Sequence, residues 1–134
     1  MNNLLKCLSY FSFIQILSAN TIHVPSTYST IQAGVDTAFD GDTVLIASGI
    51  YYEQLVLSEK SIVLASYYIF THDQTDISQT IIDGGNNNYT ISIESSAGME
   101  TVIEGLTIRN GDDGIIPHTK FNILNCVVSN CNDG

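Results

Sequence analysis

The sequence predicts an all-β chain coiled as a solenoid of parallel strands, covered at its start by one short amphipathic helix. Three observations carry this reading. Residues 103–114 recur twenty residues later as residues 123–134, with Ile103/Ile123, Asn110/Asn130, Asp113/Asp133 and Gly114/Gly134 identical. A fixed period of that size marks stacked units that bury their apolar faces on one another. After residue 42 the chain consists of short runs rich in Ile, Val, Thr and Tyr, punctuated by Gly, Asn, Asp and Ser, which read as strands and turns. A single early segment shows the apolar spacing of a helix. Seven short strands also suit a β-sandwich, but a sandwich calls for no twenty-residue repeat, so the repeat favours the parallel coil.

The elements follow in chain order. Lys6 precedes an apolar run from Cys7 to Leu17 and the small residues Ser18-Ala19-Asn20. That layout is a secretory signal peptide over residues 1–19, cleaved after Ala19; the run is too short to span a membrane comfortably. Residues 20–42 hold a short segment at Thr21–Val24 and a helix from Ser29 to Phe39. Ser29 is its expected N-cap, Gln32 its capping-box partner, and Ile31, Val35, Ala38 and Phe39 its apolar face. Gly41 supplies the left-handed turn that ends it.

Strands are expected at Thr43–Ala47, Glu53–Leu57, Ser61–Ser66, Thr80–Asp83, Tyr89–Glu94, Val102–Arg109 and Phe121–Ser129, with Tyr67–Gln79 as a longer excursion between coils. Within them apolar and polar residues alternate, so each buries one face. In a stacked coil Ile108 lies under Val128, and Asn110 under Asn130 in an asparagine ladder. A final repeat without a cap leaves an open edge. Residues 43–134 are therefore expected to be the first coils of a longer array, truncated at the C-terminus.

Composition restricts the partners. The chain has 4 Lys+Arg against 14 Asp+Glu, a net charge of −10. Removal of the signal segment leaves Lys60, Arg109 and Lys120 as the only fixed cations. Nucleic acid is disfavoured, because binding it needs clustered basic residues. An acidic polysaccharide would bind only through a cation or through basic residues beyond Gly134. Of the 3 cysteines, Cys7 leaves with the signal peptide. Cys126 and Cys131 are a disulfide or two separate thiols, the five-residue spacing favouring thiols.

The sharpest chemical candidates are Asp112 and Asp113, paired carboxylates at a strand end of the kind that activates water in glycoside hydrolysis. Their recurrence as Asn132 and Asp133 argues for turn chemistry, since a catalytic pair has no reason to repeat in every coil. The same four residues are candidate calcium ligands, with solvated turn acids as the plainer reading; no other cofactor is indicated. Asp83-Gly84-Gly85 reads as a turn first and a ligand second. Arg109 is a candidate for a uronic acid carboxylate, or a surface partner of Glu104 or Asp112. Tyr51, Tyr52, Tyr67, Tyr68 and Phe70 offer faces to sugar rings, although strand neighbours point oppositely, so at most one of each pair is exposed.

The stretches Val24-Pro25-Ser26-Thr27-Tyr28-Ser29-Thr30-Ile31-Gln32-Ala33, Gly41-Asp42-Thr43-Val44-Leu45-Ile46, Ser48-Gly49-Ile50-Tyr51-Tyr52-Glu53 and Thr80-Ile81-Ile82-Asp83-Gly84-Gly85 resemble the opening of secreted proteins of the pectin-lyase-like superfamily. That resemblance implies a right-handed parallel β-helix, secreted or held at the cell surface. The nearest likeness is to large bacterial surface or secreted proteins without known activity. The function it implies is a structural or carbohydrate-associated module at the start of a larger polypeptide with further domains. The alternative is a polysaccharide lyase or glycoside hydrolase whose active site lies on coils beyond residue 134.

Overall fold

Alternating short β-branched runs place one row of side chains on each strand face, and parallel neighbours need a crossover between them. The computed structural model, which describes residues 18–98 and 100–132, satisfies both conditions with two sheets. The strands are β1 (Thr21–Val24), β2 (Thr43–Ile46), β3 (Gly49–Tyr52), β4 (Leu55–Leu57), β5 (Val63–Ser66), β6 (Thr80–Ile93), β7 (Val102–Glu104), β8 (Thr107–Pro117), β9 (Asn122–Leu124) and β10 (Val127–Ser129). Three helices join them: α1 (Ile31–Thr37), α2 (Tyr68–Thr71) and α3 (Gln74–Gln79). The first sheet has the order β1-β2-β5-β7-β9; the second runs β10-β8-β6-β3, with β4 also paired to β6. Every pairing is parallel.

This corrects the expected fold class. The described residues form two five-stranded parallel sheets with three helical segments, not an all-β closed solenoid with one helix. The twenty-residue spacing holds at the last step, where Ile103 pairs with Ile123 and Ile108 with Val128, and between β2 and β5, where Thr43 pairs with Val63. Elsewhere the spacing varies: Val63 pairs with Val102 in the first sheet, and Gly49 with Thr80 in the second. The Tyr67–Gln79 excursion is helical, capped by the Asp73 carboxylate on the Thr75 N–H at 2.8 Å and anchored by Ile77 and Tyr68. The expected Val102–Arg109 and Phe121–Ser129 strands are each broken in two, at Gly105 (φ 72°) and Asn125 (φ 50°). Thr80–Asp83 and Tyr89–Glu94 join in β6 through an irregular stretch opposite β8.

The core takes side chains from both sheets and from α1, including Val44, Ile46, Leu64, Ile82, Ile93 and Ile108. Helix α1 shows how tertiary contacts replace local capping. It starts at Ile31, and its cap is Thr30 rather than Ser29, accepting from the Ala33 N–H at 3.2 Å. Glu53, far along the chain, accepts from the N–H groups of Ile31 and Gln32 at 2.8 and 3.1 Å. A carboxylate there meets the positive end of the helix dipole. At the other end the Lys60 ammonium donates to the carbonyls of Val35, Asp36 and Ala38 at 2.9, 3.0 and 2.7 Å. All three ammonium donors thereby meet backbone carbonyls at the end of the helix, that of Val35 also accepting from the Ala38 N–H at 3.2 Å.

Gln32 is not a capping-box partner. Its amide accepts from the Val56 N–H at 2.9 Å and donates to the Val56 carbonyl at 3.1 Å, imitating a neighbouring strand for β4. Phe39, expected on the buried face, is 70% exposed.

At the β9–β10 edge, the core rows continue into solvent. Ile103 and Ile108 are fully buried, while their strand partners Ile123 and Val128 are 42% and 47% exposed. Exposed apolar rows beside open strand edges drive association. We expect the chain from Asn20 to self-associate as its concentration rises, and Ile123→Thr with Val128→Thr to weaken this. Sedimentation velocity over a concentration series checks it; a monomer at all concentrations contradicts it.

Candidate functional site

Two corners of the second sheet place an asparagine at positive φ, a conformation that Asn tolerates better than most residues. Asn110 and Asn130 occupy matching corners at φ 56° and 53°. Among the described residues no hydrogen bond joins the Asn110 and Asn130 amides as a ladder would. The Asn110 side-chain amide turns back to the preceding strand and donates to Asp83 Oδ2 at 2.8 Å.

Asp83, at the end of the regular part of β6, is 4% exposed and collects three donors. Arg109 Nε and the Asn110 amide meet Oδ2 at 2.9 and 2.8 Å, and the Gly85 N–H meets Oδ1 at 3.0 Å. Burial alone pulls this carboxyl upward. The hydrogen bonds from Gly85, Arg109 and Asn110 and the charge of Arg109 outweigh that pull, and hold it below the ordinary carboxylate range. Arg109 is therefore paired with Asp83, not with Glu104 or Asp112 as expected for a surface arginine. Register explains the pairing, because Asp83 lies directly opposite Arg109 on adjacent strands.

Beside this pair lies a cleft of about 250 Å³ lined by Tyr52, Glu53, Gln54, Asp83, Gly84 and Asn87. Its floor is closely packed: a side chain at Gly84 would meet Thr90 Oγ1 at 2.5 Å and the Asn110 carbonyl at 3.1 Å. Glu53 offers the cleft no free carboxylate oxygen, since both cap α1. Gln54 donates its amide to the Tyr89 carbonyl at 3.0 Å, and Asn87 donates to Gly84 at 2.8 Å. Among the described residues the two amide oxygens have no donor, so the cleft presents acceptors.

Tyr52 stands at its rim, 73% exposed. Tyr51 points the other way, as alternation requires, and its hydroxyl donates to the Ala47 carbonyl at 2.8 Å. Burial, and then the charge of Glu53, push the Tyr51 phenol above its ordinary range. Tyr67 and Tyr68 follow helix geometry instead: Tyr68 is buried against His72, while Tyr67 and Phe70 are exposed.

A larger groove of about 620 Å³ is bordered by Asp40, Glu59, Ser61, Ser96 and Glu100. Its one cation, Lys60, is committed to the end of α1.

Asp112 and Asp113 are exposed on β8, and Asp112 accepts from the Asn132 amide at 3.3 Å. That contact joins two of the four calcium candidates; Asp133 lies outside the described residues. Among the described residues no group of three or more His, Cys, Asp or Glu is gathered as a metal site. Cys126 and Cys131 are separate, half-buried thiols. Burial pushes the Cys126 thiol up, which keeps it protonated. No described helix is long and apolar enough to cross a membrane; most of the expected signal segment, residues 1–17, lies outside the described residues.

Sequence reasoning missed the roles of Glu53 and Lys60 at the ends of α1 and, though it marked Asp83, the pairing of Asp83 with Arg109. Each acts on a segment more than twenty residues away, and only strand register reveals the pairing. The chain matches no protein-family model, no curated protein and no solved structure.

Proposed function

We propose that this chain is an exported module of a larger extracellular or cell-surface protein, structural or carbohydrate-associated in role, and that it meets glycan through the cleft beside Tyr52. The observation that carries the proposal is the 73% exposed Tyr52 ring at the rim of a cleft of unfilled amide acceptors. An aromatic face with nearby hydrogen-bonding groups suits the apolar face and hydroxyl rim of a sugar. The net charge of −10 and the neutralisation of Arg109 by Asp83 favour a neutral glycan over a uronic acid polymer. Lys6 with the Cys7–Leu17 run supports export. The resemblance of the opening residues to secreted pectin-lyase-like proteins supports the same setting. The exposed rows at Ile123 and Val128 support further polypeptide packed on that edge.

Calorimetric titration with neutral and uronic oligosaccharides tests the reading. Neutral oligosaccharide should bind, and Tyr52→Ala should weaken binding about tenfold or more, which is roughly 1.4 kcal/mol. Its unfolding midpoint should be unchanged, because the ring is outside the core. Equal affinity in the variant, or binding of uronic oligosaccharide only, contradicts the assignment of the cleft.

A further inference from the structure

We infer that cleavage between Ala19 and Asn20 locks the start of the fold: the new α-ammonium of Asn20 pairs with the buried carboxylate of Asp42. The position of the cut rests on the export reading above; the lock rests on geometry.

Asp42 is 2% exposed. Among the described residues it has no cationic partner, the one ion pair being that of Arg109 with Asp83. Its charge is met by two neutral amides: Oδ2 accepts from the Phe39 N–H and Oδ1 from the Asn20 N–H, each at 2.8 Å. A buried carboxylate without a countercharge is costly. The nitrogen that would cure this is already in place. The Asn20 carbonyl accepts from the Thr43 N–H at 2.9 Å, and the next residue, Thr21, is in register with Thr43, so the sheet holds Asn20 against Asp42. Ser18, Ala19 and Asn20 are themselves exposed, which leaves the scissile bond open to a protease.

Hydrolysis places the hydroxyl of one water on the Ala19 carbonyl carbon and a hydrogen on the Asn20 nitrogen. The released amine, with an ordinary pKa of about 8, takes up a proton at neutral pH. A neutral donor thus becomes a cation where it stands, and the hydrogen bond becomes charge-assisted. Removal of the leader supplies the missing countercharge of Asp42 and ties down β1, the first strand of the sheet. Processing and final stability are coupled through a single contact.

The test compares three forms at one low concentration: the chain beginning with free Asn20, the same chain selectively acetylated at that amine, and the chain extended to Ser18. Acetylation keeps the N–H and removes only the charge. At pH 7 the free-amine form should melt about 5 °C above both others, and the advantage should vanish in Asp42→Asn. Equal melting of the free and acetylated forms overturns the lock, whatever becomes of the export reading. Should Asp42→Asn fail to fold, the pH dependence of acylation of the Asn20 amine decides: a pKa raised above about 8 upholds the pair, and one at or below it overturns it. N-terminal sequencing of the exported product tests the cut separately. A start at Asn20 upholds the assigned bond, and any other start overturns it.

Discussion

Asp83→Ala should lower the unfolding free energy by about 3 kcal/mol, the lower end of the range for removing one partner of a buried ion pair. The lower end applies because the Arg109 side chain keeps 29% of its surface exposed and can be rehydrated, whereas Asp83 keeps 5%. The substitution strands three donors at once, from Arg109, Asn110 and Gly85. It therefore loosens the end of β6, the β8 corner and the floor of the Tyr52 cleft together. Asp83→Asn with Arg109→Gln, which removes both charges and keeps the shape, should recover part of the loss.

The pH dependence follows from the depressed pKa of Asp83. The stabilisation is fully present above the unfolded-state value of about 3.9 and is lost as pH falls through the lower value in the folded protein. Wild type should thus lose more stability than Asp83→Asn on acidification below about pH 4. Urea midpoints at pH 7 and at pH 3 check this, and a midpoint at pH 7 unaffected by Asp83→Ala would refute the structural role of the pair.

Gly105→Val should be a severely damaging substitution, because it combines backbone strain with a collision. Gly105 has φ 72°, and a Cβ there would meet Ser66 Oγ and Tyr68 Cβ, each at 2.7 Å. A left-handed backbone costs an L-residue roughly 1–2 kcal/mol, and overpacking adds roughly 1–3 kcal/mol. The surroundings have little room to yield. Ser66 Oγ donates to the Gly105 carbonyl at 2.5 Å and accepts from the Tyr68 N–H at 3.2 Å, so the intruding side chain would displace the start of α2 as well.

The matching position one repeat later is a control built into the chain. Asn125 has φ 50° but is exposed, so Asn125→Val carries the backbone cost without the collision. We expect Gly105→Val to abolish soluble expression or to cut the urea midpoint severely, and Asn125→Val to cost about 1 kcal/mol. Equal effects at the two positions would show that packing against Ser66 and Tyr68 is irrelevant.

These two sites also show how far residue patterns reach. Alternation within Leu106-Thr107-Ile108-Arg109 identified which side chains are buried, and Ile108 is in the core while Arg109 is not. The repeat of residues 103–114 in residues 123–134 gave the register of β7 with β9 and of β8 with β10. It did not give the register of the earlier strands, because pairs such as Val63 with Val102 span insertions of different length. Nor did it disclose the helices in Tyr67–Gln79, which are too short for a clear apolar period and are held by Tyr68 and Ile77 packing inward.

What the sequence determined by itself is therefore local: strand-forming runs, corners that need Gly or Asn, one capped amphipathic helix and an acidic surface. These depend on backbone preference and on periods of two or 3.6 residues, which neighbouring residues express without help. Only the tertiary structure decided that the strands divide into two five-stranded parallel sheets. It alone decided that Glu53 and Lys60 close the two ends of α1, and that Asp83 rather than a nearer acid holds Arg109. Parallel pairing brings together residues twenty or more positions apart, and which ones meet depends on the length of every intervening loop. Charge partners therefore follow from register, which no single segment contains.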